Sequence, residues 1–263
     1  MGVLNVTPDS FSDGGEWFDH EAAVGRGREL AAQGAAILDV GGESTRPGAA
    51  PVAETEELRR VVPVVRALSA QVPPGVQLSV DTSKARVAAA ALDAGATYVN
   101  DVTALRGDPA MAELVAAAGC DVCLMHMLGE PRTMQDDPRY DDVVAEVKAF
   151  LEERLAAAVA AGIAEDRIAL DPGIGFGKTA AHNLELLRRI GEIVALGRPV
   201  VVGTSRKSFL GRITGRDDPH QRDVGTVATN VLAYERGASV FRVHDVAATR
   251  DALAVAAATL GPG

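Results

Sequence analysis

The chain has 263 residues, 47% of them hydrophobic and 24% charged, with two cysteines and a formal net charge of −10. That composition excludes a disordered chain, a disulfide scaffold and a membrane span, and the acidic balance argues against nucleic acid or anionic lipid as a partner. The length allows one α/β barrel domain or two smaller ones. In chain order, short β-rich runs alternate with Ala/Leu/Val stretches of helical period. Strands are predicted at 3–6, 36–40, 76–81, 98–102, 121–126, 168–171, 199–203 and 239–243. Helices are predicted near 20–33, 54–70, 84–94, 109–118, 141–161, 181–195, 222–236 and 247–259. Ser83 reads as an N-cap, Asp108 as a cap followed by a proline, and Gly34, Gly95, Gly119, Gly162 and Gly237 as left-handed helix ends.

Alternating β and α units without a linker imply a parallel sheet covered by helices. Eight such units fit a closed (β/α)8 TIM barrel better than an open doubly wound sheet, which remains the alternative fold. The expectation is therefore one soluble, cytoplasmic domain over 1–263; the first 15 residues carry no basic stretch or signal-like apolar core.

Barrel enzymes build their sites at the C-terminal ends of the strands, and here those ends are polar. Asn5 follows the first strand, Asp39 lies in the second, Asp81 ends the third, and Asn100 and Asp101 end the fourth. His126 closes the fifth, Asp171 the sixth, Lys207 follows the seventh, and Arg242 and His244 end the eighth. One strand-end Asp is usually a helix cap; many in one barrel need partners or ligands. Asp81, Asn100 and Asp171 suit a flat heterocycle with N–H donors, with Lys207 supplying a donor of its own. Asn5, Arg242 and His244 come together where the first and last strands meet, and their chemistry suits phosphate oxygens or a metal. A heterocycle carrying phosphate is the inferred substrate. The stretches 7–15 and 41–51, rich in Gly, Pro, Ser and Asp, read as lids over the mouth.

Other motifs do not hold up. The stretch PGIGFGKT (172–179) has Pro172 where a phosphate loop needs its first glycine, so it reads as a Gly-rich turn able to approach a ligand. Cys120 and Cys123 sit on a predicted strand with opposite faces and no second pair, against zinc or redox chemistry. His20, His182 and His220 fit no ligand spacing and read as surface residues.

Taken together, MGVLNVTPDSFSDGG, ILDVGGESTRPGA, SVDTSK, VNDV, LMHM with TMQ, LDPGIGFGKT, VGTSRKSFLG and FRVHDV resemble the dihydropteroate synthase family, in family order from residue 1 to about 246. The resemblance implies condensation of (7,8-dihydropterin-6-yl)methyl diphosphate with 4-aminobenzoate to 7,8-dihydropteroate and diphosphate, with Mg2+ required. It implies pterin binding by Asp81, Asn100, Asp171 and Lys207, and diphosphate binding by Asn5, Thr45, Arg242 and His244, with Asn5 also a Mg2+ ligand. Asp81, Asp171, Lys207, Arg242 and His244 would carry the catalysis. Arg46, Pro47, Phe176 and Ser208 would wall the 4-aminobenzoate site, which sulfonamides occupy in this family. A homodimer is implied as well. Family members usually carry a segment before the first strand, which the expected domain lacks, leaving Asn5 near a fraying end. A pterin-binding methyltransferase and a non-catalytic pterin binder are the competing readings. The first lacks a need for Asn5, Arg242 and His244; the second would have lost Lys207, Arg46 or the RVHD stretch.

Overall fold

The computed structural model describes residues 1–7, 20–44 and 48–261. Within them the strands are β1 (Gly2–Asn5), β2 (Ile37–Gly41), β3 (Gln77–Asp81), β4 (Tyr98–Asp101), β5 (Asp121–Met125), β6 (Ile168–Asp171), β7 (Val201–Val202) and β8 (Val240–Phe241). The helices are α1 (His20–Ala32), α2 (Glu54–Ser69), α3 (Ala85–Asp93), α4 (Met111–Ala118), α5 (Val143–Ala160), α6 (Ala180–Arg188), α7 (Gly191–Val194), α8 (Ser208–Thr214), α9 (Asp223–Glu235) and α10 (Val246–Leu260). None of the described helices is long and apolar enough to cross a membrane.

Strands β1 to β6 form one parallel sheet in sequence order, and β7 pairs with β8. Two short bridges join these pieces into a ring. Leu170 pairs with Val200 and donates its N–H to Pro199 O at 2.9 Å; Gly2 pairs with Val243, and Val3 N–H reaches Val243 O at 2.9 Å. Every strand therefore has two neighbours, which makes the closed (β/α)8 barrel and excludes the open sheet.

Strand alternation sorts the side chains. On β2 the residues Leu38 and Val40 face the helices and join the main core with Val61, Val64, Leu68, Val80, Val99, Val122 and Leu124. Tyr98, Cys123, Ala169 and Val201 form a separate packed layer, which their strand parity places inside the barrel. Cys120 belongs to the outer core and Cys123 to the inner layer, both as free, buried thiols. Above that layer Val102, Met125, Met127 and Met134 line the mouth, with Phe176 packed on them.

Several local expectations change. The helix predicted over 181–195 is two helices, because Arg189 takes a non-helical φ of −106° and ψ of 22° after α6. The short α8 follows β7 where a loop was expected, and Gly215 ends it in the left-handed region. Ser83 is not the cap of α3. That helix starts at Ala85, whose N–H is taken by the Asp108 carboxylate at 2.9 Å. The other oxygen of Asp108 accepts from Ala110 at 3.0 Å, and α4 begins only at Met111. One carboxylate thus serves the starts of two neighbouring helices. The five predicted glycine ends all have positive φ, from 60° at Gly119 to 112° at Gly95.

Candidate active site at the mouth of the barrel

The centre of the site is a carboxylate inside the barrel. Asp39, third residue of β2, points inward between Leu38 and Val40 and is fully buried. It accepts from Ser79 Oγ at 2.6 Å, from Asn100 Nδ2 at 3.0 Å and from Arg242 Nε at 2.6 Å. The far edge of the same guanidinium reaches Asp81 Oδ2 at 2.7 Å. Arg242 therefore forks across two carboxylates, a geometry a lysine cannot reproduce. Burial works to lower the guanidinium's pKa, and Asp39 and Asp81 more than offset it, so the cation is held. Burial lifts the Asp81 carboxyl to about 7; Arg242 opposes the rise and Asp39 adds to it.

The sequence reading set Asp81 and Asn100 apart from Arg242, as two clusters. The structure joins them through Asp39, which the sequence left without a role. Its inward register, two residues from the mouth on a strand whose alternate residues are apolar, was the available signal. The side chains it gathers come from three other strands or strand ends, and no sequence spacing carries that.

On the opposite wall Asp171, at the end of β6, is buried and accepts from Gly173 N–H at 2.7 Å. Burial raises its carboxyl above the ordinary range, against the pull of Lys207 and of that amide. Lys207, the residue before α8, donates to Ile174 O and lies 4.5 Å above the Phe176 ring. Burial pulls its ammonium down to about 8, with Asp171 working the other way. His244 is fixed from both sides. Its backbone N–H donates to Ser205 Oγ at 3.1 Å, and the same hydroxyl lies 2.8 Å from the ring Nδ1.

Asn5 is half-buried at the end of β1 beside Gly41, and Ser208 is the exposed first residue of α8. Thr45, Arg46 and Pro47 lie outside the described residues, as does the stretch 7–15 beyond Thr7. Asp101 turns back to cap its own loop through Thr103 and Leu105. His126 is not a mouth residue. Its strand parity faces α5, where its ring meets Phe150 edge-on at 4.8 Å. His182 is not a free surface residue either; it completes a capping box with Thr179 and packs edge-on against Tyr140.

The Gly-rich turn after β6 lies close against the neighbouring backbone. Gly173, Gly175 and Gly177 have φ of 66°, 83° and 63°. A Cβ on Gly173 would lie 1.8 Å from His126 O, and one on Gly177 would lie 2.6 Å from Leu128 O. The turn is thus pressed onto the end of β5, with Phe176 and Lys207 fixed above it.

Comparisons with known proteins agree with this arrangement. A family model described as pterin binding enzyme matches residues 1–244. The dihydropteroate synthase of Escherichia coli strain K12 is 48% identical over 260 residues, covering 99% of this chain and 91% of the relative. A solved Xanthomonas albilineans dihydropteroate synthase with 4-aminobenzoic acid superposes with a TM-score of 0.93 at 53% identity, covering 100% of this chain and 93% of that one. The same enzyme in complex with 7,8-dihydropteroate gives 0.90 at 50% identity, covering 100% and 93%. A closed barrel with its strand-end acids, amides and cations gathered at one mouth, matched along its whole length, belongs to the pterin-binding enzyme family.

Proposed function

We infer that the chain catalyses the dihydropteroate synthase reaction, joining 4-aminobenzoate to (7,8-dihydropterin-6-yl)methyl diphosphate with release of diphosphate. The observation that carries it is the likeness, over essentially the whole chain, to synthases bearing 4-aminobenzoic acid or 7,8-dihydropteroate. The geometry of the mouth supports it. We assign the pterin to Asp81, Asn100, Asp171 and Lys207, whose acceptors and cation suit a flat ring with N–H donors and a carbonyl. We assign the diphosphate to Asn5, Thr45, Arg242 and His244, and the arylamine wall to Arg46, Pro47, Phe176 and Ser208.

In this reading the C–O bond to the diphosphate breaks early and the pterin ring spreads the developing positive charge. Asp81 and Asp171 hold negative charge beside that cation, while Arg242 and His244 stabilise the departing anion. The arylamine nitrogen then forms the C–N bond and loses its proton to solvent. Water competes for the cation, so the chemistry calls for a shielded mouth. Among the described residues no three His, Cys, Asp or Glu side chains gather as a metal site. Asn5 nevertheless fits a magnesium ion, which favours oxygen donors and is commonly bound by few protein ligands plus substrate phosphates. Bound there, Mg2+ would neutralise charge on the leaving diphosphate.

Diphosphate release is the direct test: it should require both 4-aminobenzoate and Mg2+. No release by protein that still binds pterin in a calorimeter would overturn the synthase reading in favour of a binding protein, and release no faster with the arylamine than without it would overturn it in favour of a hydrolase.

Lys207 gives a second check. If its ammonium donates to the pterin, kcat/KM for the diphosphate substrate should fall as pH rises through about 8, where that proton is lost. Lys207→Arg should remove this alkaline limb, whatever its cost in rate, because a guanidinium stays charged. A limb unchanged in the variant would assign it to another group.

We treat 1–263 as one domain and propose a homodimer. Its support is the exposed Val224 and Leu232 on α9 with Val255 and Leu260 on the adjoining α10. Sedimentation at about twice the chain mass of 27.3 kDa is the check.

A further inference from the structure

Lys178 is a lysine that the proposed chemistry does not use, yet it is only 3% exposed. Its Nζ donates to Phe176 O at 3.0 Å and to His126 Nδ1 at 2.9 Å. Burying a lysine is costly, and this one is retained at a spot where its donors meet two defined acceptors. Burial drives the amine well below the ordinary lysine range, Asp171 opposing and Lys207 assisting. His126 is likewise pushed down to about 3 by burial and by Lys178, so its ring is neutral.

The surrounding turn is held at many of its backbone polar atoms. Gly173 N–H goes to Asp171, Ile174 O receives Lys207, and Gly175 N–H goes to Asn183 Oδ1 at 2.7 Å. Gly175 O receives Gln135 at 2.6 Å, and Gly177 O receives Tyr140 Oη at 2.9 Å. Within this set Lys178 is the side chain on the Phe176 carbonyl. Lys207 holds Ile174 two residues earlier in the same turn, and its ammonium sits over the Phe176 ring. The Phe176 ring is itself only half-buried, resting on the methionines of the mouth. Its placement therefore depends on how firmly its backbone is fixed.

We propose that Lys178 is a positioning residue for the arylamine, acting through the Phe176 backbone to set the Phe176 ring against Lys207. The proposal rests on the assignment of Phe176 to the 4-aminobenzoate wall. It also separates the two lysines of the site. Lys207 meets substrate; Lys178, on the His126 side of the turn, meets only the protein.

A double-mutant cycle on the full chain tests it. Lys178→Met should raise KM for 4-aminobenzoate about tenfold while leaving KM for the pterin diphosphate within about twofold, the size expected for a slightly misplaced binding wall. In a Phe176→Leu background the same change should add less than about twofold. A loss spread equally over both substrates, or an undiminished effect in the Phe176→Leu background, would make Lys178 merely structural and overturn the proposal. If Phe176→Leu alone leaves KM for 4-aminobenzoate unchanged, the wall assignment falls first, and the proposal with it. Should the methionine variant not fold, Lys178→Leu, which likewise removes the donor to Phe176 O, takes its place in the cycle with the same outcomes deciding.

Discussion

Replacing Arg242 by methionine should lower turnover by at least about a thousandfold and the melting temperature by about 6–20 °C, the second effect growing with pH. The loss of turnover follows from the assigned role, since the guanidinium is the strongest cation available to a leaving diphosphate. The loss of stability follows from geometry alone. Arg242 is the shared partner of Asp39 and Asp81, and both carboxylates are buried. Removing it leaves two acids close together without a counter-charge, the situation that makes half of a buried pair worse than none. The sign of the pH effect can be worked out. Burial already holds the Asp81 carboxyl at about 7, above its unfolded value, with Arg242 restraining the rise. Without Arg242 the folded value climbs further, so the folded state binds more protons than the unfolded state over a wider range. Stability is then kept at low pH and lost as pH rises through that range. Thermal unfolding at pH 5 and pH 8 should show a small deficit at the first and a large one at the second. A deficit equal at both pH values would mean that the two carboxylates are not what Arg242 compensates. Arg242→Lys should keep part of the stability and little of the turnover, because one ammonium cannot span both acids.

The residues behind this prediction show where the sequence could be read and where it could not. Strands and glycine helix ends are local, set by β-branched runs and by positive φ, so Gly34, Gly95, Gly119, Gly162 and Gly237 could be placed from the chain alone. Strand alternation would also have placed His126 on the α5 side. The Arg242–Asp39 contact spans 203 positions, and the Asp108 carboxylate caps a helix 23 residues earlier. Such pairs depend on which strands and loops lie side by side, which is settled only when the ring closes. The break between α6 and α7 has only Gly191 just beyond it, and one glycine inside an apolar helical stretch is tolerated and does not announce a break. The residues assigned to the pterin were legible because each sits at a strand end or just after one. Lys178 was not, since it belongs to a stretch that reads only as a Gly-rich turn and nothing in its spacing marks a lysine for burial.

A second large effect is expected away from the reacting atoms, at Lys84. This residue follows β3 and donates to Glu43, next to β2, and to Glu57 on α2 at 2.5 Å. Burial works to lower its ammonium, and the two glutamates more than compensate, holding it above the ordinary lysine range. Glu57 is wholly buried, and its second oxygen, Oε1, has no hydrogen-bond partner among the described residues. Lys84→Met should therefore destabilise by about 3–5 kcal/mol, since Glu57 would be left charged and unpaired while the partly exposed Glu43 can be rehydrated. Adding Glu57→Leu should recover most of that loss, because replacing both members of a buried pair by apolar groups is often neutral. Turnover should not recover with it. Glu43 stands two residues before Thr45 and three before Arg46, and its neighbour Gly42 is held through its carbonyl by Arg60 at 2.8 Å. Lys84 ties the start of that loop to the barrel, so the double variant keeps its fold but frees one anchor of the segment assigned to both substrates. Melting temperature and KM measured on the same two variants separate these effects. A Lys84→Met protein within about 1 kcal/mol of the parent would show that Glu57 finds another way to satisfy its charge. Recovery of KM together with stability in the double variant would show that the loop is positioned without Lys84.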